Sequence, residues 1–158
     1  MPPFCGGIFV CTYMMNIKTV KGRIQVTSAF KKGKRFSLPE AIVSVRPRFY
    51  DQEYDAPKDS LNSIFIVCSV RKKIAPHAVI RNRIKRLVKE SVRQYIRTHA
   101  DKKNISILLT LAFNWNIAPK RPLDIGLKDL YPIVQQLLDN AIVYFGRNEK
   151  QKTKGKQE

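Results

Sequence analysis

Between Ile64 and Ile96 the chain changes its hydrophobic period once and cleanly, and this change limits the possible folds more than any other feature. Ile64–Val70 (IFIVCSV) is a nearly continuous apolar run of strand length, the pattern of a strand buried on both faces. Beyond Pro76, residues Ile80, Ile84, Leu87, Val88, Ser91, Val92, Tyr95 and Ile96 recur at spacings of three and four. That stretch is therefore expected to be a helix with one apolar stripe, and Pro76 to sit near its first turn, where a missing N–H costs little. A buried strand feeding an amphipathic helix must lay the stripe on a sheet.

The rest of the chain supplies that sheet. Ile24–Lys32 is expected to form a short helix with Val26, Ala29 and Phe30 on one side, stopped by Gly33. Lys34–Leu38 is a short strand broken by Pro39, and the β-branched stretch Ala41–Arg46 a strand ended by Pro47. Tyr50–Asn62, acidic and containing Pro57, reads as a loop, Asp101–Asn104 as a turn and Ile105–Ala112 as a further strand. A last helix, about Asp129–Phe145, carries Leu130, Val134, Leu137, Leu138, Ala141, Ile142 and Phe145 on its core face, with Pro132 in its first turn. The order is αβββαβα, an α+β fold of two layers: a mixed sheet of about four strands with helices packed on one side. Residues 1–23 are expected to be a disordered extension, or in part the product of an upstream start codon where Met14 or Met15 is the true one. Residues 24–146 form one domain and 147–158 a basic disordered tail.

Charge decides the class of partner. Thirty Lys and Arg face 12 acids, a net charge of +18. Four of those acids (Asp51, Glu53, Asp55, Asp59) fall in the Tyr50–Asn62 stretch beside the single base Lys58, so the remainder is more basic still. Such an excess attracts polyanions: nucleic acid first, an anionic membrane second, an acidic protein third. No apolar run approaches the roughly 18 residues needed to span a bilayer. Three cysteines (Cys5, Cys11, Cys68) form no disulfide framework and no closely spaced zinc pair, and two histidines (His77, His99) make no metal site, so a reducing compartment fits. The histidines also stand on no pattern suggesting an acid–base pair, so no catalytic residue is assigned.

The basic residues are organised around the central helix. It bears Arg81, Arg83, Lys85, Arg86, Lys89, Arg93 and Arg97 against one acid, Glu90. Asn82, Arg86, Lys89 and Arg93 follow at steps of four, three and four, a ridge pointing away from the apolar stripe. Arg71, Lys72 and Lys73 end the preceding strand and add charge to the same region. Arginines at helical spacing can meet successive phosphates, with a fork that fits phosphate oxygens. A merely solvated helix would alternate its signs, and this one does not. Asn82 brings a donor and an acceptor that suit a base edge, a sugar hydroxyl or a hydrated metal ion.

Ser69-Val70-Arg71-Lys72-Lys73-Ile74, followed by Arg81-Asn82-Arg83-Ile84-Lys85-Arg86-Leu87-Val88-Lys89-Glu90, closely resembles the signature of the bacterial ribonuclease P protein family: S-V-x-K-K, then R-N-x-x-K-R-x-x-R-E. Phe30-Lys31-Lys32-Gly33 resembles that family's F-K-x-G at the end of its first helix. The resemblance covers about residues 24–145. Arg71 stands for a small residue, Lys89 for the usual Arg, and Val26 where relatives often carry a second aromatic.

The resemblance implies a protein subunit that binds a catalytic RNA and the 5′ leader of precursor transfer RNA, with hydrolysis performed by the RNA. It implies Mg²⁺ bound mainly by the RNA and none held by the protein alone. RNA contacts are expected at Arg71, Lys72, Lys73, Arg81, Asn82, Arg83, Lys85, Arg86, Lys89 and Arg93. Leader bases are expected to stack on Phe30 and Phe36 in a groove between the first helix and the exposed sheet face. It further implies a left-handed βαβ crossover, against the right-handed rule for parallel strands. A bacterial, cytoplasmic monomer within the ribonucleoprotein follows, with no membrane or DNA partner. The alternative is a ribosomal or other non-enzymatic RNA-binding protein; a DNA-reading helix pair is disfavoured because Ile64–Val70 reads as strand.

Overall fold

The computed structural model describes residues 15–48, 63–99, 103–121 and 123–154. The acidic stretch 50–62 and most of the N-terminal extension lie outside them. The elements in chain order are β1 (Asn16–Thr19), α1 (Arg23–Lys32), β2 (Lys34–Ser37), β3 (Ala41–Pro47), β4 (Ser63–Val70), α2 (Ala78–Thr98), a 3₁₀ turn (Lys103–Ile107), β5 (Leu108–Trp115) and α3 (Leu127–Lys154). The five strands lie in the order β1-β4-β5-β3-β2. β1, β4 and β5 run parallel, while β3 and β2 run antiparallel to their neighbours. Helix α2 thus makes the crossover between the adjacent parallel strands β4 and β5.

Side chains alternate across these strands, and the two sheet faces meet different partners. Ala41, Val43 and Val45 of β3, Ile64, Ile66 and Val70 of β4, and Leu111, Phe113 and Trp115 of β5 pack with the stripes of α2 and α3 in one large core. The opposite face holds a small cluster of Ala29 from α1 with Val67 and Ala112, flanked by Val20, Val26 and Phe30. The α+β reading therefore stands with one correction: α1 lies on the other face from α2 and α3. Helix–sheet packing needs only one apolar side per helix, and the pattern of α1 could not say which face it would cover.

Three boundaries also move. Residues 16–19, assigned to the extension, form the edge strand β1, paired in register with Ser63–Ile66. Four residues alternating polar and apolar carry little signal, and the strand is held by hydrogen bonds to its neighbour. Ile105 and Ile107 are buried in the 3₁₀ turn, so β5 starts only at Leu108. Their apolarity serves burial, which strand and turn share. Helix α3 begins at Leu127, leaving Pro132 past its first turn, and runs on to Lys154. The Asp129 carboxylate accepts from the Gly126 N–H at 2.9 Å, satisfying one donor at the helix start.

Two local devices fix the frame. Gly33 lets α1 come down against β3: a Cβ there would lie 2.2 Å from Ser44 Oγ and 3.1 Å from the Val45 backbone N and O. At the far end of β3, Arg48 donates from Nε to Ser106 O and from Nη2 to Ser63 O, both at 2.7 Å. It ties β3 to the start of β4 and to the 3₁₀ turn, and its burial pulls its pKa down.

Candidate RNA interface

Helix α2 is anchored along its inner side by Ile80, Ile84, Val88, Ser91, Val92, Tyr95 and Ile96, all buried. The apolar spacing that buries these seven turns the positions between them outward. Asn82, Arg83, Arg86, Arg93 and Arg97 are exposed, and Arg81, Lys85 and Lys89 are half-buried along the flanks. Pro76 stands just before the N-cap His77, one step outside the first turn expected for it. His77 makes no side-chain cap and no acid lies in the first turn, so α2 itself supplies no negative charge to the positive end of its dipole. At the other end His99 is the C-cap; its ring stacks on Tyr95 with 4.2 Å between centroids.

Not every cation of the predicted set points the same charge outward. Arg81 donates to the carbonyls of Ala75 and Pro76, and Arg83 to that of Ile125. Lys89 Nζ donates to Thr19 Oγ1 of the edge strand at 2.8 Å. Arg93 pairs with Glu90 at 3.0 Å, an exposed contact of small energetic worth. Arg71, Lys72 and Lys73 lie exposed in the turn between β4 and α2. Beneath α2, the Cys68 thiol is pushed up to about 12 by burial, with Lys85 and Lys89 pulling the other way. That thiol stays neutral, and the two lysines are placed on the flank of α2 nearest β4.

The face opposite α2 carries a second arrangement. Phe30 packs half-buried against the Ala29–Val67–Ala112 cluster. Pairing registers put Lys18, Phe65, Thr110 and Arg46 in one row across β1, β4, β5 and β3. Phe65 alternates with the core residues Ile64 and Ile66, so it lies on the α1 side, half-buried, with a cation at each end of its row. Sequence reasoning missed these residues. The signal was the second face of β4, hidden because an unbroken apolar run shows no alternation.

The structure does not bring Phe36 to this groove. Phe36 pairs with Val43, which faces the main core, and its ring meets Tyr144 and Phe145 edge-on at 5.7 and 6.1 Å. Phe30 and Phe36 thus stand on opposite faces of the sheet: Phe30 lies on α1, which covers one face, while Phe36 leaves β2 toward the main core on the other.

Among the described residues no three or more of His, Cys, Asp and Glu stand together, and no helix is long and apolar enough to cross a membrane. A divalent cation such as Mg²⁺ wants oxygen donors. The α2 face offers cations, the Asn82 amide and one carboxylate already paired with Arg93, too few oxygen donors to coordinate such an ion directly.

The family model described as Ribonuclease P matches residues 14–116, well over half of the chain. No curated protein gives a significant match. Solved structures that resemble the chain include the Staphylococcus aureus RNase P protein at 2.0 Å, with 19% identity, TM-score 0.47, and coverage of 78% of this chain and 94% of that one. A second structure from the same organism gives 17%, 0.46, 83% and 92%. A mutant of the S. aureus protein, described as defective in mRNA degradation, gives 18%, 0.48, 78% and 86%.

Proposed function

The chain belongs to the ribonuclease P family, and from that membership we propose how its two surfaces divide the work. It is the protein subunit of the ribonucleoprotein that removes the 5′ leader of precursor transfer RNA. The outer face of α2, with Asn82, Arg86 and Arg93, and its flank, with Lys85 and Lys89, join Arg71, Lys72 and Lys73 to hold the catalytic RNA. Arg81, on the flank, and Arg83 stand beside that face with their guanidinium groups on protein backbone. Exposed cations on a buried, rigid helix are the observation that carries this reading. The helix fixes their spacing before RNA arrives, so little ordering is needed at the moment of binding.

The groove beside α1 receives the single-stranded leader. Phe30 and Phe65 offer aromatic surface on which any base can stack, and the cations Lys18 and Arg46 flank the path of the backbone. Phe36, packed against α3, plays no part in it. The chemistry belongs to the RNA, and Mg²⁺ is held there, since the donors of the protein face do not suit it. The protein works as a monomer in the bacterial cytoplasm, without DNA or membrane partners.

The test is reconstitution. The protein alone should not cleave precursor transfer RNA at physiological Mg²⁺ but should stimulate its cognate RNA. Binding to that RNA should weaken with salt, at a log–log slope of about −3.5 to −4.5 if five phosphates are neutralised. Cleavage at the mature 5′ end without RNA, or a flat salt titration, would overturn the division between protein and RNA.

A further inference from the structure

The turn between β4 and α2 holds three exposed cations, Arg71, Lys72 and Lys73, on very little structure of its own. Internally it has two bonds, from the N–H groups of Ile74 and Ala75 to Arg71 O at 3.0 and 3.2 Å. The next two carbonyls, of Ala75 and Pro76, precede the helix, and among the described residues none of the backbone bonds outside the helices and strands reaches them. Both are taken by one nitrogen. Arg81 Nη1 donates to Ala75 O at 2.8 Å and to Pro76 O at 2.5 Å, folding back over the first turn of α2. Two residues further on Arg83 also grips backbone: its Nε donates to Ile125 O at 3.0 Å, fastening α2 to the segment that leads into α3. Between them Asn82 is exposed.

We propose that Arg81 is a positioning residue for RNA, bracing the 71–76 turn so that Lys72 and Lys73 keep a fixed spacing to Asn82 and Arg86. The inference rests on the reading of this face as the RNA surface and refines it. Ala75 is buried, so the braced turn has one wall in the core and the other in the guanidinium. Removing the guanidinium leaves two carbonyls without their partner and lets the lysine-bearing stretch swing away from the helix. Loss of binding then comes through Lys72 and Lys73, not through a phosphate on Arg81. The Arg-Asn-Arg triplet thereby splits in role: both arginines grip protein backbone, and the asparagine between them is presented to the ligand.

A double-mutant cycle separates this from direct contact. Affinity for the cognate ribonuclease P RNA transcribed in vitro is measured for the full chain, Arg81→Ala, Lys72→Ala/Lys73→Ala, and the triple variant. Arg81→Ala should weaken binding on the order of tenfold in the intact chain and less than about twofold once both lysines are gone. Amide exchange of the free protein should rise at Ile74 and Ala75 while Val88 and Val92 in the core of α2 stay protected. The same factor in both backgrounds would overturn the proposal and make Arg81 an independent phosphate contact. Should Arg81→Ala fail to fold, Arg81→Lys enters the same cycle, since it keeps the charge without the planar fork. Arg81→Lys that binds as the parent does while Ile74 and Ala75 exchange faster would equally overturn it. Absence of RNA binding by the parent chain would instead refute the function reading, a separate outcome.

Discussion

Helices α1 and α2 cover opposite faces of one sheet and are held there very differently. Helix α2 has 21 residues and buries seven side chains; α1 has ten and buries only Ala29. Helix α2 shares its face with α3, and between them they close the core over Phe113, Leu111 and Ile66. Helix α1 fully buries only the small Ala29, on Val67 and Ala112, keeps Val26 and Phe30 half-buried beside it, and leaves Ile24 80% exposed. One face is thus a sealed core with its charge on the outside of a fixed helix. The other is a shallow contact with half-buried aromatics still open beside it. On the proposed division of the two surfaces, tight packing suits a fixed row of cations, and loose packing suits a groove that admits a strand of RNA.

The largest expected contrast is in stability. Phe113 is 1% exposed in the main core, so Phe113→Ala should cost about 3–5 kcal/mol. Phe65, on the other side of the same sheet and only half-buried, should cost less than about half of that when truncated. Denaturant melts of the two variants measure the difference directly. Equal losses would mean that the α1 face is as much a core as the α2 face.

A smaller effect probes what locks α2 to α3. Tyr95 is fully buried and its Oη donates to Asp139 Oδ1 at 2.5 Å. Tyr95→Phe should cost about 1.5–3 kcal/mol, the range for a bond to a charged partner. Burial first, and then this bond, raise the Tyr95 pKa above its ordinary value of 10. Because the folded value is the higher one, the contribution is complete below pH 10 and fades as pH rises further. Tyr95→Phe should therefore flatten the alkaline loss of stability; an unchanged alkaline limb would show that the titration lies elsewhere.

The smallest effect has the opposite sign. Ser28 Oγ on α1 is buried without a hydrogen-bond partner among the described residues. Ser28→Ala removes an unsatisfied hydroxyl and improves helix propensity, so stability should rise by about 0.5–2 kcal/mol. A fall would show that α1 is held by a bond through this hydroxyl and is less loosely attached than its packing implies.

The legibility of these two regions in the sequence follows the same division. The stripe of α2, its outward cations and the placement of α3 could be read because apolar residues recur at helical spacing over long stretches. The positions flanking the stripe were legible as charges but not as bonds: nothing in the spacing says that Arg81 reaches back to Ala75 and Pro76. The α1 face was the harder one. Its fully buried contact is two alanines and a valine, β1 is four residues long, and Phe65 hides in a run that is apolar on both faces. Phe36 was misplaced because alternation along β2 depends on where the chain turns at Gly33, which local pattern cannot fix.

The claim that two RNA surfaces lie on opposite faces of one sheet is tested most directly by Phe65→Ala in the reconstituted ribonucleoprotein. Affinity should be measured for precursor transfer RNA and for mature transfer RNA, with thermal unfolding of the free variant as the folding control. The account predicts a loss of about 1–3 kcal/mol for the precursor, the range for one base stacked on an aromatic ring, and no change for the mature form, which has no leader. Equal weakening of both substrates by a folded variant would contradict it and remove the leader from the α1 face.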